Sequence, residues 1–191
     1  MMSSEVSRKN MIDGQIKPNK VDAPALLEAL ARIPREKFVP RHLQGMAYVD
    51  EDIPLGNGRT LPEPTVIARM IQAAAIQPAD VVLDIGCGTG YSSALLAQLA
   101  TTVVALENTK DLAEQAERHL HELGIHNVAV ITCPQLSEGY AQQAPYQAIL
   151  INSSLQKIPQ QLLDQLSIGG RLVAIESLPN AINGHMGQAV L

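Results

Sequence analysis

The chain has 191 residues, 46% hydrophobic and 17% charged, with a net charge of −5. That is the profile of about one globular domain with a full core, and it excludes a disordered or low-complexity protein. No apolar run reaches the ~20 residues of a membrane span, and Met1–Asn10 is polar, without the apolar stretch of a secretory signal. One Phe, four Tyr, no Trp and an acidic balance speak against a nucleic-acid interface. Cys87 and Cys133, far apart in sequence, read as free thiols of a cytoplasmic protein.

Residues 1–76 read as an N-terminal extension of helix and loop. Asp22 is placed to cap a helix carrying Leu26, Leu27, Leu30 and Ile33 at helical spacing, and Pro34 stops it. Arg35, Glu36 and Lys37 read as a solvated turn, and Met11, Met46 and Met70 as core filling. A Gly- and Pro-rich loop spans Val49–Pro64, long enough to be functional, and a helix follows over about Thr65–Ala75. Residues 77–191 alternate strand and helix. Strands are expected at Val81–Ile85, Val103–Leu106, Val128–Ile131, Ala148–Ile151, Leu172–Ile175 and Gln188–Leu191. Helices are expected at Tyr91–Leu99, after an Asn108 or Thr109 cap up to Gly124, and from Pro159 to Gly169-Gly170. This alternation predicts an α/β fold with a doubly wound, mostly parallel sheet, whose ligand sits at the carboxyl ends of the strands.

The chemistry concentrates in Asp84-Ile85-Gly86-Cys87-Gly88-Thr89-Gly90-Tyr91, which leaves a buried strand and opens a helix. Glycines allow a tight turn and close backbone approach, and the helix start offers free N–H groups. The spacing is GxGxG, not the GxGxxG of dinucleotide binders. Glu107 ends the next strand, where a carboxylate accepts hydrogen bonds from both hydroxyls of a ribose. Cys87 stands at a helix start, where a thiol pKa can fall, or is simply the small residue that such a loop tolerates. Tyr91 packs on the ligand or on the first helical turn. His119 and His121 are two apart and do not share a helix face, so no metal site is expected.

The strand, GxGxG, helix, strand, Glu series resembles the class I S-adenosylmethionine-dependent methyltransferases, which have a Rossmann-like fold. A closer resemblance is carried by Met11-Ile12-Asp13-Gly14-Gln15-Ile16, Ile33-Pro34-Arg35-Glu36-Lys37-Phe38-Val39-Pro40, Ala47-Tyr48-Val49-Asp50 and Pro54-Leu55-Gly56-Asn57-Gly58-Arg59-Thr60. Further on, VLDIGCGTGYSSALLA, Ala144-Pro145-Tyr146 and Gln165–Val173 continue it, in order, from about residue 11 to 176. These motifs are similar to those of the protein-L-isoaspartate O-methyltransferase family. The resemblance implies S-adenosylmethionine as cofactor, held by Asp84, Gly86, Cys87, Gly88, Gly90, Tyr91 and Glu107. It implies a protein or peptide acceptor with isoaspartyl residues, met by a loop of the extension that includes Asn57, Arg59 and Thr60. The methyl ester formed would close to a succinimide, whose hydrolysis returns some normal aspartate. It also implies seven strands with a reversed last hairpin, against six counted here, so by this count the C-terminal strand is missing.

Three stretches depart from the family pattern. Its active-site loop reads Gln-Thr-Ile-Ser-x-Pro, with the Ser credited with a catalytic role; here the loop is Arg59-Thr60-Leu61-Pro62-Glu63-Pro64. Pro62 has neither hydroxyl nor N–H. Thr60 keeps a hydroxyl for a substrate carboxylate, and Arg59 either pairs with that carboxylate or is a solvated loop charge. Where the family has Gly-Asp-Gly near the adenine, this chain has Cys133-Pro134-Gln135, and Gln135 is the candidate replacement. The usual Ala-Pro-Tyr-Asp ends in Gln147, and the strand that follows runs into Asn152-Ser153-Ser154, whose polar groups either face the methyl donor or another acceptor or, the better reading, form a turn. These departures leave an alternative: a relative that binds S-adenosylmethionine and a partner protein without turnover, or methylates another acceptor.

Overall fold

A computed structural model describes residues 3–56, 58–177 and 187–190. Its extension begins with helix α1 (Ser4–Met11), which runs on through a π-helical turn at Ile12–Ile16, and helix α2 (Pro24–Arg32) follows. The N-cap of α2 is Ala23, with no side-chain cap, and Pro24 takes the first helical position; Asp22 does not cap it. Asp22 N and Ala23 N are satisfied instead by Gln72 Oε1.

The stretch expected as a long loop carries a two-stranded antiparallel hairpin, β1 (Ile53–Gly56) and β2 (Arg59–Leu61), with Ile53 opposite Leu61. Its period-2 burial, with Ile53 and Leu61 inward and Pro54 and Thr60 outward, was hidden by Pro54 and the flanking glycines. Helix α3 (Pro64–Ala73) leads into the sheet.

The main sheet has the order β5-β4-β3-β6-β7-β8. Strands β3 (Val81–Ile85), β4 (Thr102–Glu107), β5 (Val128–Thr132), β6 (Tyr146–Leu155) and β7 (Leu166–Ser177) are parallel, and β8 (Gly187–Val190) returns antiparallel to β7. Helices α4 (Tyr91–Leu96), α5 (Lys110–Glu122) and α6 (Gln160–Leu163) make the crossovers. Two sequence expectations change here. Helix α6 ends at Leu163, and Gly169-Gly170 lies inside the longer β7. Asn152 and Ser153 are no turn: β6 continues through them, with an irregular register between Ile151 and Ser154.

Alternate residues of each strand face opposite sides, so a sheet covered on both faces needs continuous apolar runs. Val82, Val103, Ala148, Leu150 and Val173 join the extension's Met11, Ile16, Leu26, Leu30, Phe38, Ile67 and Met70 in one core. Leu83, Ile85, Val104, Leu106, Ile149, Ile151, Leu172 and Ala174 pack on the other face with Tyr146 and Leu162. The extension is thus one cover of the sheet. Of the three methionines expected in the core, Met11 and Met70 are buried and Met46 is exposed.

Arg35 is the largest departure from expectation. It is fully buried, not part of a solvated turn. Its Nε donates to Ala47 O at 2.8 Å and its Nη2 to Pro62 O at 2.7 Å, while the guanidinium lies 4.8 Å from the ring centre of Tyr91. Burial holds its pKa below the ordinary arginine value. A buried cation is tolerable when its donors meet carbonyls and an aromatic face. Among the described residues no helix is long and apolar enough to cross a membrane.

Candidate active site

The strand order reverses between β3 and β6, and the candidate residues gather at the carboxyl ends of β3, β4 and β6. Gly86 N and Cys87 N both donate to Leu106 O, at 2.8 and 3.1 Å, which folds the loop back over β4. Gly86, Gly88 and Gly90 have φ of +74°, +57° and +95°, values that exact a steric cost from any residue with a Cβ. Gly90 is the N-cap of α4.

Asp84 is the penultimate residue of β3 and is fully buried. Its Oδ2 accepts from Ser92 Oγ at 2.8 Å and Ser93 Oγ at 2.5 Å, and its Oδ1 accepts from Asn152 Nδ2 at 2.5 Å. Asn152 therefore bridges β6 to β3 across the reversal point. Burial pushes the Asp84 carboxyl up to about 6, against the pull of these three hydrogen bonds. Asn152 Oδ1 is itself buried with no hydrogen-bond partner among the described residues.

Glu107 ends β4, also fully buried. Its Oε1 accepts from Asn108 N and Thr109 N, which lead into α5, at 2.9 and 3.1 Å. Its Oε2 accepts from Gly88 N at 2.8 Å and from Arg59 Nη2 at 3.0 Å. Arg59 Nη2 also donates to Gly86 O at 2.9 Å. Arg59 is thus not a solvated loop charge: its side chain is 17% exposed and reaches from β2 into the glycine loop. A Cβ on Gly86 would meet Arg59 Nη2 at 2.8 Å, and one on Gly88 would meet Leu55 Cδ1 at 3.0 Å, so the hairpin rests directly on the loop backbone.

Of the residues singled out from the sequence, Asp84, Gly86, Cys87, Gly88, Gly90, Glu107 and Arg59 come together here. Tyr91 follows the loop but turns into the core, against Phe38 at 5.5 Å between ring centres and against Arg35. Thr60 is exposed on β2, and Asn57 lies outside the described residues. Gln135 sits on the turn after β5 with an exposed side chain. Cys87 is buried, and burial raises its thiol well above the ordinary value, contrary to the fall expected at a helix start. No group of three or more His, Cys, Asp or Glu among the described residues is arranged to hold a metal ion. Sequence reasoning missed Ser92 and Ser93, and preferred a turn at Asn152 to a place facing the site. The two serines at the start of α4, one turn past a buried strand-end Asp, were the available signal.

A carboxylate and a carbonyl acceptor side by side suit a ligand that carries hydroxyl or ammonium donors. Glu107 Oε2 and Gly86 O both accept from Arg59 Nη2, and Arg59 and Leu55 of the hairpin stand where a Cβ on Gly86 or Gly88 would lie.

Comparisons with known proteins give the same picture. A family profile described as Protein-L-isoaspartate(D-aspartate) O-methyltransferase matches residues 6–180. A Gloeobacter violaceus protein-L-isoaspartate O-methyltransferase is 41% identical over 163 residues, which is 85% of this chain and 79% of that protein. A Koribacter versatilis protein of the same name is 43% identical over 168 residues, 88% of this chain and 75% of that one. In fold, the chain is similar to a Plasmodium falciparum protein assigned to that activity and crystallised with S-adenosyl-L-homocysteine, with a TM-score of 0.79 and 18% identity over 100% of this chain and 95% of that one. With a profile match across most of its length and such relatives, the chain belongs to the protein-L-isoaspartate(D-aspartate) O-methyltransferase family.

Proposed function

We propose that this chain transfers a methyl group from S-adenosylmethionine to the carboxylate of L-isoaspartyl residues in damaged proteins, and so acts in protein repair. One observation carries the reading: family membership coincides with an intact cofactor loop, in which Asp84, the three glycines and Glu107 converge at the carboxyl ends of β3 and β4. S-adenosylmethionine supplies a methyl group made electrophilic by its sulfonium charge.

The acceptor carboxylate is ionised at neutral pH, with an ordinary pKa near 4, so the reaction needs no general base. The chain's own residues then hold, orient and exclude water. Glu107 Oε2 is the acceptor for a ribose hydroxyl, and Gly86 O is the acceptor for an ammonium. The hairpin β1–β2 supplies the acceptor side, with Thr60 exposed on it and Arg59 as its cation. Pro62 stands where a Ser is usual in the family, and the buried Arg35 holds its carbonyl. The segment is thus anchored by its backbone. A cytoplasmic location and a protein or peptide partner go with this reading; the two free cysteines suit a reducing compartment.

The test is methyl transfer from labelled S-adenosylmethionine, read as released methanol, on an isoaspartyl peptide beside the matching aspartyl peptide. The proposal expects turnover on the first alone. Cofactor binding by calorimetry without turnover on either peptide would replace repair with a binding role or another acceptor.

A further inference from the structure

The acceptors assigned above to the cofactor are already in use. Glu107 Oε2 receives Arg59 Nη2 at 3.0 Å and Gly88 N at 2.8 Å, and Gly86 O receives the same Arg59 nitrogen at 2.9 Å. Both Glu107 oxygens thus carry two donors each. A carboxylate oxygen has about two lone-pair directions, so no ribose hydroxyl can add to Glu107 while Arg59 stays. Leu55 of the same hairpin covers Gly88. The contact is a partly buried ion pair, in which a guanidinium replaces the hydroxyl and ammonium donors that the site would otherwise take.

We infer that Arg59 is an internal competitor of the cofactor. The closed hairpin places its guanidinium in the Glu107–Gly86 cradle, and cofactor entry requires that guanidinium to leave. The inference rests on the cofactor reading given above. Glu107 keeps its polar partners throughout, because one ribose hydroxyl donates in place of Arg59. The displaced guanidinium remains on the hairpin that faces the acceptor, where a carboxylate is its natural partner. Cofactor and acceptor therefore favour the same displaced state of Arg59. Each must tighten the binding of the other, since coupling between two ligands is reciprocal. The apparent cofactor affinity is the intrinsic one multiplied by the fraction of molecules with Arg59 displaced.

The experiment is calorimetric titration of S-adenosylhomocysteine into the wild-type chain and into Arg59→Gln and Arg59→Lys, with circular dichroism as a check on folding. Arg59→Gln is expected to bind about tenfold more tightly than wild type, as expected when the closed state is preferred by ~1.4 kcal/mol. Arg59→Lys, which keeps the charge but loses the planar fork, is expected between them. Hydrogen exchange of residues 53–61 in the wild type should accelerate when the ligand is added. An isoaspartyl peptide should tighten ligand binding to wild type and leave Arg59→Gln unchanged. Equal or weaker binding by Arg59→Gln, with wild type binding normally, overturns the inference and leaves the cofactor reading standing. Peptide coupling that survives in Arg59→Gln overturns the acceptor half. No binding to any of the three proteins overturns the cofactor reading and the inference with it.

Discussion

Asp84 makes the pH dependence of stability a test of how the site is built. The carboxyl is fully buried, and its pKa in the folded chain is about 6 against an ordinary 3.8. A raised acid favours its neutral form when folded. Its contribution to stability is thus complete below pH 3.8 and is lost as pH rises through about 6. The distance from 3.8 to about 6, at about 1.36 kcal/mol for each pH unit, makes the loss about 3 kcal/mol. Asp84→Asn removes the ionisation and leaves a side chain of similar shape beside Ser92, Ser93 and Asn152. Urea unfolding followed by circular dichroism, for both proteins between pH 4 and pH 7.5, reads the difference directly. The stability of the variant relative to wild type should rise by about 2.4 kcal/mol across that interval, since about 0.5 kcal/mol of the loss precedes pH 4, and most of the rise falls below pH 6. A difference that stays constant with pH, or shrinks as pH rises, would refute the claim that burial dominates the hydrogen bonds at Asp84.

Three further predictions concern the frame around the site. Arg35→Ala strips two charge-assisted hydrogen bonds from Ala47 O and Pro62 O, so thermal unfolding should show a loss of about 3 kcal/mol or more. The same variant should raise the KM for the acceptor more than it changes the cofactor Kd, because it frees Pro62. Gly90→Ala forces a Cβ to φ +95° and to within 3.1 Å of Ala116 Cβ, and should lower stability by about 2 kcal/mol in a denaturant titration. Pro62→Ser restores a hydroxyl without disturbing the carbonyl that Arg35 holds; activity should be unchanged or raised, and a fall would contradict the place given to this segment.

How far the molecule is legible in its sequence depends on where the information sits. Val82, Leu83 and their counterparts in β4 and β6 are apolar because the sheet is covered on both sides, so the parallel core and its order of elements could be read directly. The glycine loop and Glu107 carry their chemistry in contiguous residues. The extension was harder. Arg35 sits in a run of charges, Arg35-Glu36-Lys37, whose local pattern says solvent; only the carbonyls of Ala47 and Pro62, distant in sequence, explain its burial. The hairpin around Gly56 and Gly58 escaped notice because its strands are three or four residues long and one contains Pro54. Asn152 looked like turn chemistry, since nothing local announces that β6 runs on to reach Asp84. For Arg59 the loop sequence leaves an acceptor partner and a solvated charge equally open, and its partnership with Glu107, 48 residues away, is a tertiary fact that no spacing rule contains.

The central claim is tested most directly by following the acceptor itself. An isoaspartyl peptide is incubated with the chain and S-adenosylmethionine, and the isoaspartyl and aspartyl forms are resolved chromatographically over time, with Glu107→Ala as the control. The account predicts cofactor-dependent conversion of the isoaspartyl form to the aspartyl form by the wild type and loss of that conversion in the variant. No conversion by the wild type, or conversion that Glu107→Ala leaves untouched, would contradict it.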